Sequence, residues 1–337
     1  MVKTCIALIL SWFSVFAAAH HNTLGFYDPE EIIEIEGVLK SVSMRNPHIH
    51  FIVEVRDPFG ETIDWVVETS ALSGLRARGL DMDFMSVGDW VRVAGEASRR
   101  GRPEMWAENL LLEDGSEVLI ALRAEPYFIE DRTDFLEAEY SDSVVQDARE
   151  SADGIFRVWS TVLDDPSRLL MFNGDYELTE SAQSIRANWD PVSGELLNCW
   201  EKGMPHIMVT PLPIEFVSQG NDMLIRFEED DAERLIYMSG LLPDTHDFLG
   251  RSAGRWDDGT LIVETVKIDA PMLDGNGTPQ SRDIETVERF TVNESQDRLD
   301  YQIRITDPVM FPRPLEMTRY WVWRPEILVK PWDCEER

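Results

Sequence analysis

Cysteine is scarce, at 3 in 337 residues. That excludes a disulfide-rich scaffold and a zinc site built from four thiolates. Basic residues are also few, 31 Lys+Arg against 63 Asp+Glu, for a formal net charge of −32. Nucleic-acid binding by displacement of phosphate counterions is excluded on that balance, as is docking on an anionic membrane surface. No HExxH, CxxC, Gly-x-Ser-x-Gly, P-loop or dinucleotide fingerprint occurs, so the enzyme classes they mark have no support. Beyond residue 19 there is no long uncharged apolar run, and no transmembrane span is expected after the leader is removed. What is present is ample core material: 43% hydrophobic residues, with 11 Trp. The length suits about two domains.

Residues 1–19 (MVKTCIALILSWFSVFAAA) read as a signal peptide. Lys3 supplies the positive start, Cys5 to Phe16 the short apolar core, and Ala17 and Ala19 the small residues before the cut. The mature protein is therefore expected in the periplasm or secreted. Cys5 leaves with the leader, and Cys199 and Cys334 remain. An oxidising compartment favours a disulfide between them, closing a long loop, over two buried thiols.

Residues 20–120 read as a small β domain. Alternating runs occupy Glu31–Arg45, His48–Arg56, Glu61–Thr69, Trp90–Gly95 and Met105–Leu112, with a helical period over Ala71–Leu80 after the third. Five strands with a helix after the third is the order of an OB-like five-stranded barrel. Residues 121–154 read as an acidic linker or solvated helical connection. Between Glu125 and Asp153 ten acidic residues face two basic ones, Arg132 and Arg149. Residues 155–337 read as an antiparallel β-barrel, lipocalin-like, or a sandwich. Its expected strands are Ile214–Val217, Met223–Phe227, Arg234–Met238, Thr260–Val266, Ile284–Val292, Leu299–Ile305 and Leu315–Trp323, with a short helix over Ser181–Trp189. The fold class is mainly β.

Histidines offer the most chemistry. Cleavage after Ala19 makes His20 the first residue, so its amine and ring can chelate one ion, with His21 beside it. His48 and His50, two apart on a strand, share a face. Nitrogen ligands in a tetragonal set suit Cu(II), so His20, His21, His48 and His50 are the candidate metal ligands and copper the candidate cofactor. A cut one residue earlier leaves an Ala19-His20-His21 start, also a copper-chelating arrangement. Met204, His206 and Met208 alternate and would form a softer set if they lay on a strand, although core methionines are the plainer reading. Glu264 or Glu288 can pair with Arg234 or Arg289 across strands.

Several of these residues carry a resemblance. His20-His21, Phe26, Gly37-Val38, Asn46-Pro47-His48, Trp65 and Val87-Gly88-Asp89 resemble a family of uncharacterised exported bacterial proteins. Its members typically begin Ala-His-His-Ser and carry an Asn-Pro-His motif in a small OB-like β domain; here Asn22 stands where Ser is usual. Later residues resemble a domain found in longer members: Cys199, Gly203-Met204-Pro205, Arg234 to Met238, Gly254-Arg255-Trp256, Glu288-Arg289-Phe290 and Asp333-Cys334. The resemblance implies export and architecture, not an activity.

Three function classes remain. The first is an exported non-catalytic binding protein whose C-terminal barrel holds a small apolar or amphipathic molecule. The second is a copper-binding or copper-delivery protein using the N-terminal histidines. The third is a hydrolase or isomerase with its site in the C-terminal barrel. N-terminal sequencing of the exported protein is expected to start at His20. A chain still starting at Met1 would remove both the export reading and chelation by the His20 amine.

Overall fold

The computed structural model describes residues 26–46, 48–57, 59–77, 80, 84–121, 124–129, 142–161, 176–189, 201–332 and 334. Residues 1–19, read above as a signal peptide, and His20, His21 and Cys199 lie outside them.

The N-terminal domain holds β1 (Tyr27–Ser43), β2 (His50–Arg56), β3 (Thr62–Glu68), α1 (Leu72–Ala77), β4 (Trp90–Ser98), β5 (Glu104–Leu112) and the short β6 (Glu117–Leu119). The strands run in the order β3-β2-β1-β4-β5-β6, and β3 also pairs with β5. That last pairing is parallel and curls the first five strands into an OB-like barrel. The long β1 serves both halves of the barrel, pairing antiparallel with β2 and with β4. It bends where Gly37 passes β2 so closely that a Cβ would collide with the Glu54 carbonyl. Inward residues Ile35, Leu39, Ile49, Phe51, Val53, Val67, Val91, Val93 and Met105 form one core, with Leu72 and Leu75 of α1 packed into it. Asp57 caps the β2–β3 turn, its carboxylate accepting from the amides of Phe59 and Glu61 at 2.8 and 2.9 Å.

Helix α2 (Asp142–Ser151) lies in the acidic segment and is largely exposed. Helix α3 (Glu180–Ala187) is capped by Thr179, whose hydroxyl accepts from the Ala182 amide.

Beyond α2 comes a closed barrel of nine strands: β7 (Val158–Ser160), β8 (Ile214–Gln219), β9 (Asp222–Phe227), β10 (Glu233–Tyr237), β11 (Arg251–Asp257), β12 (Thr260–Val266), β13 (Glu285–Val292), β14 (Arg298–Thr306) and β15 (Leu315–Trp323). Each strand pairs with its neighbour in sequence, and β15 returns to β7. An odd number of strands cannot close with antiparallel pairs alone, because directions would conflict at the seam. The conflict is resolved between β10 and β11, which are parallel. The barrel is therefore antiparallel with one parallel step, not a pure meander.

Two strands escape the hydrophobic pattern. β7 is only three residues long. β11 turns Ser252 and Gly254 toward the interior, and a Cβ at Gly254 would strike the side chains of Ile236 and Met238. Met204, His206 and Met208 do not share a strand face either. His206–Val209 is a 3₁₀ turn after Pro205, and Met204 and Met208 are buried in the barrel core. Burial, then the Lys202 charge, push the His206 pKa down to about 3. The residues are core, as apolar methionines usually are.

The barrel interior is aromatic around one ion pair. Phe290 lies edge-on to Phe216 and stacks on Trp321 with centroids 5.4 and 6.5 Å apart, and Tyr301 lies 5.2 Å from Trp321. Arg234 and Glu288, 1% and 0% exposed, are paired. Arg234 also donates to Ser252 at 3.0 Å and Thr265 at 2.7 Å, and the Tyr301 hydroxyl donates to Glu288 at 2.8 Å. The cross-strand pairing of Arg234 with Glu288 is thus realised, but through the barrel interior and not along one ladder.

The β9–β10 turn is acidic. Glu228 and Asp231 accept from the backbone amides of Lys330 and Trp332 at 3.1 and 3.0 Å. Asp230 accepts from the Lys202 amide at 2.7 Å, and Glu229 binds the Lys202 ammonium and the Thr210 hydroxyl. The C-terminal segment so held crosses to the first domain, where Asn46 Nδ2 donates to the Trp332 carbonyl at 2.9 Å and Asn46 bridges to Cys334. Cys334 is disulfide-bonded.

Replacing Glu288 by Leu leaves Arg234 buried without its counter-charge and is expected to cost about 3–5 kcal/mol, whereas Arg234→Met with Glu288→Leu should restore most of it. Urea unfolding of the two variants measures the difference; equal losses would contradict the assignment.

Candidate functional site

The site lies on the outer face of the first barrel. Cross-strand partners share a face, and here one row runs round the barrel: Ser43 on β1, His50 on β2, Glu68 on β3, Trp106 on β5, Glu96 on β4 and Ile32 back on β1. The opposite face of the same strands is the apolar core, with Phe51, Val67 and Met105 fully buried. The alternation that buries those three therefore presents His50, Glu68, Trp106 and Glu96 together.

His48 joins this row from outside it. β2 begins at His50, so His48 precedes the strand and is not on it. Its ring nevertheless reaches Glu68, with Nδ1 2.6 Å from Oε1. Glu68 is 6% exposed, and its other oxygen accepts from the Tyr27 hydroxyl at 3.0 Å. Trp106 meets the His48 ring edge-on at 5.1 Å and lies 6.2 Å from Tyr27. A carboxylate is an acceptor only, so Nδ1 carries a proton, and in a neutral ring Nε2 is then the nitrogen with the lone pair. That is the posture of a metal-ligating histidine held by an outer carboxylate.

His50 is the cross-strand partner of the same Glu68. Its Nδ1 is buried and has no hydrogen-bond partner among the described residues. The structure thus places His48 against the Glu68 carboxylate and His50 at the strand position paired with Glu68. Among the described residues no three His, Cys, Asp or Glu side chains converge to hold a metal. His20 and His21, the other candidate ligands, lie outside those residues, as does Cys199. Met44 packs against the domain core.

Further along the row Glu96 has one oxygen buried and without a partner among the described residues. Burial first, then the charges of Glu108 and Asp28, raise its pKa to about 7 against the opposing pull of Arg99. Glu108 is raised by burial as well.

Glu68, Tyr27, Trp106 and Glu96 were not among the candidates from sequence. Strand alternation carries the signal for three of them. Residues 68, 96 and 106 fall out of phase with the buried Val67, Ala97 and Met105, so polar or aromatic residues there face outward. Their proximity depends on the β3–β5 pairing, which no local pattern encodes.

Residues 8–105 match a family of unknown function, DUF6152. The matched segment spans β1 to β4 and the start of β5, and so contains His20, His21, His48, His50, Glu68 and Glu96. Compared with curated proteins, the chain has no match.

The folded-state pKa of Glu96 lies above its ordinary value of 4.5. The native state keeps a proton there that the unfolded chain has lost, so stability falls as pH rises from about 4.5 to about 7. Glu96→Gln removes that loss. At pH 8 it should stabilise the protein by at most about 3 kcal/mol, and at pH 4 it should change little. Thermal unfolding at the two pH values measures this; an equal effect at both would contradict it.

Proposed function

We propose that the protein is an exported, non-catalytic copper-binding protein, with its site at the histidines of the first domain. His48 supplies Nε2, His20 supplies its ring and the amine freed by cleavage, and His50 or His21 completes the set. The supporting observation is the hydrogen bond from His48 Nδ1 to the buried Glu68, which fixes the tautomer and orientation that a metal ligand needs. Copper so held would be bound by neutral nitrogens, for which Cu(II) is well suited.

A second reading places a small amphipathic molecule in the C-terminal barrel. It is favoured by inward-facing polar atoms that have no partner among the described residues: Thr286 Oγ1, Arg319 Nε and Trp321 Nε1. Buried polar groups are ordinarily satisfied, and a ligand head would satisfy these.

Calorimetric titration of the mature protein with Cu(II) tests the first reading. His48→Ala should weaken binding at least a hundredfold, and Glu68→Gln roughly 10–100-fold, the usual cost of losing an outer-shell partner. Equal binding by the wild-type protein and His48→Ala would overturn it.

A further inference from the structure

The barrel interior contains two buried arginines with opposite circumstances. Arg234 faces Glu288 and is neutralised. Arg319, on β15, is 7% exposed and touches no carboxylate among the described residues. Its Nη1 donates to the carbonyls of Met208 and Thr210 at 2.8 and 3.3 Å, and its Nη2 to the Thr161 hydroxyl at 2.7 Å. Its guanidinium carbon lies 4.4 Å from the centre of the Trp321 ring. All of these partners are neutral. Burial lowers its pKa only to about 10, so the group stays charged at neutral pH. A buried cation without a counter-charge is costly, and such groups are normally paired.

The third nitrogen of that guanidinium, Nε, is buried without a partner among the described residues, and so is Nε1 of Trp321. Two N–H donors on residues in contact, beside one uncompensated positive charge, form a place for an anionic oxygen. Charge-assisted bonds of this kind are roughly twice as strong as neutral ones. The walls beside them are apolar: Tyr301 and Phe290 lie 5.2 and 6.5 Å from Trp321, and Met208 is fully buried next to Arg319. A free inorganic ion would meet only part of this surface.

We infer that the C-terminal barrel binds a small organic carboxylate, its head taken by Arg319 Nε and Trp321 Nε1 and its apolar body by the surrounding aromatic side chains. The inference rests on the barrel-ligand reading and supplies the head-group chemistry that reading lacks. It is independent of copper at the first domain. The Arg319 bonds to Met208 and Thr210 hold the 3₁₀ turn His206–Val209 at the same place, so ligand binding and the position of that turn share one guanidinium.

The test uses the full mature protein and three probes: octanoate, 1-octanol and acetate, each titrated by calorimetry. Octanoate should bind at least tenfold more tightly than either of the others. Arg319→Lys keeps a charge but loses the Nε donor and should weaken octanoate about tenfold while leaving octanol unchanged. Equal binding of octanoate and octanol would overturn the carboxylate assignment and leave the barrel-ligand reading standing. Binding of neither would overturn both. Acetate binding as tightly as octanoate would mean an adventitious anion only and would also overturn the proposal. The comparison of probes on the wild-type protein decides the matter even if the variant fails to fold.

Discussion

Four consecutive acids at the β9–β10 turn hold the two halves of the molecule in register. Like charges this close repel, and Asp230 shows it: burial and the neighbouring Glu229 raise its pKa to about 6. The turn also carries backbone strain, since Asp230 and Asp231 have φ of 62° and 48°, a region that few residues other than glycine occupy cheaply. What offsets this is that each carboxylate has its own donor. Two of them are amides of the C-terminal segment, which also reaches Asn46. Asn46 of the first domain is thus positioned partly by a turn of the second.

The two domains use buried polarity in different ways. In the second, Arg234, Glu288, Tyr301, Ser252 and Thr265 satisfy one another inside the barrel. Such a network favours one arrangement of the side chains that make it. In the first, the polar row lies on the outside of the barrel yet is partly shielded, and it is incompletely satisfied at His50 and Glu96. Unsatisfied groups at a shielded surface are where a protein tends to bind something. Within the second domain Thr286, Arg319 and Trp321 stand outside that network, each with a buried polar atom that has no partner among the described residues.

Much of the architecture was legible from alternation alone. Phe51, Val53, Val67, Val91 and Val93 sit in phase on their strands, and the order with a helix after the third strand specified the OB-like barrel. β7 was too short to show a period, and β11 was hidden because its inward residues, Ser252 and Gly254, are small, Gly254 facing the side chains of Ile236 and Met238. The parallel β10–β11 step follows from counting nine strands, but the count itself needed those two. Of the site, His48 and His50 were visible as an i, i+2 pair. Glu68 was not, because its meeting with His48 depends on where β2 begins and on the β3–β5 closure, which are properties of the whole barrel.

The contact between Asn46 and Trp332 spans 286 residues. Pairings so distant along the chain are made late in folding, because the loop must close before the contact stabilises anything. The first domain can collapse on its own local strands. Asn46, by contrast, depends for its contact with Trp332 on the far end of the chain. Loss of the second domain would therefore cost Asn46 its contact with Trp332 while the strand pairings of the first barrel keep their own partners.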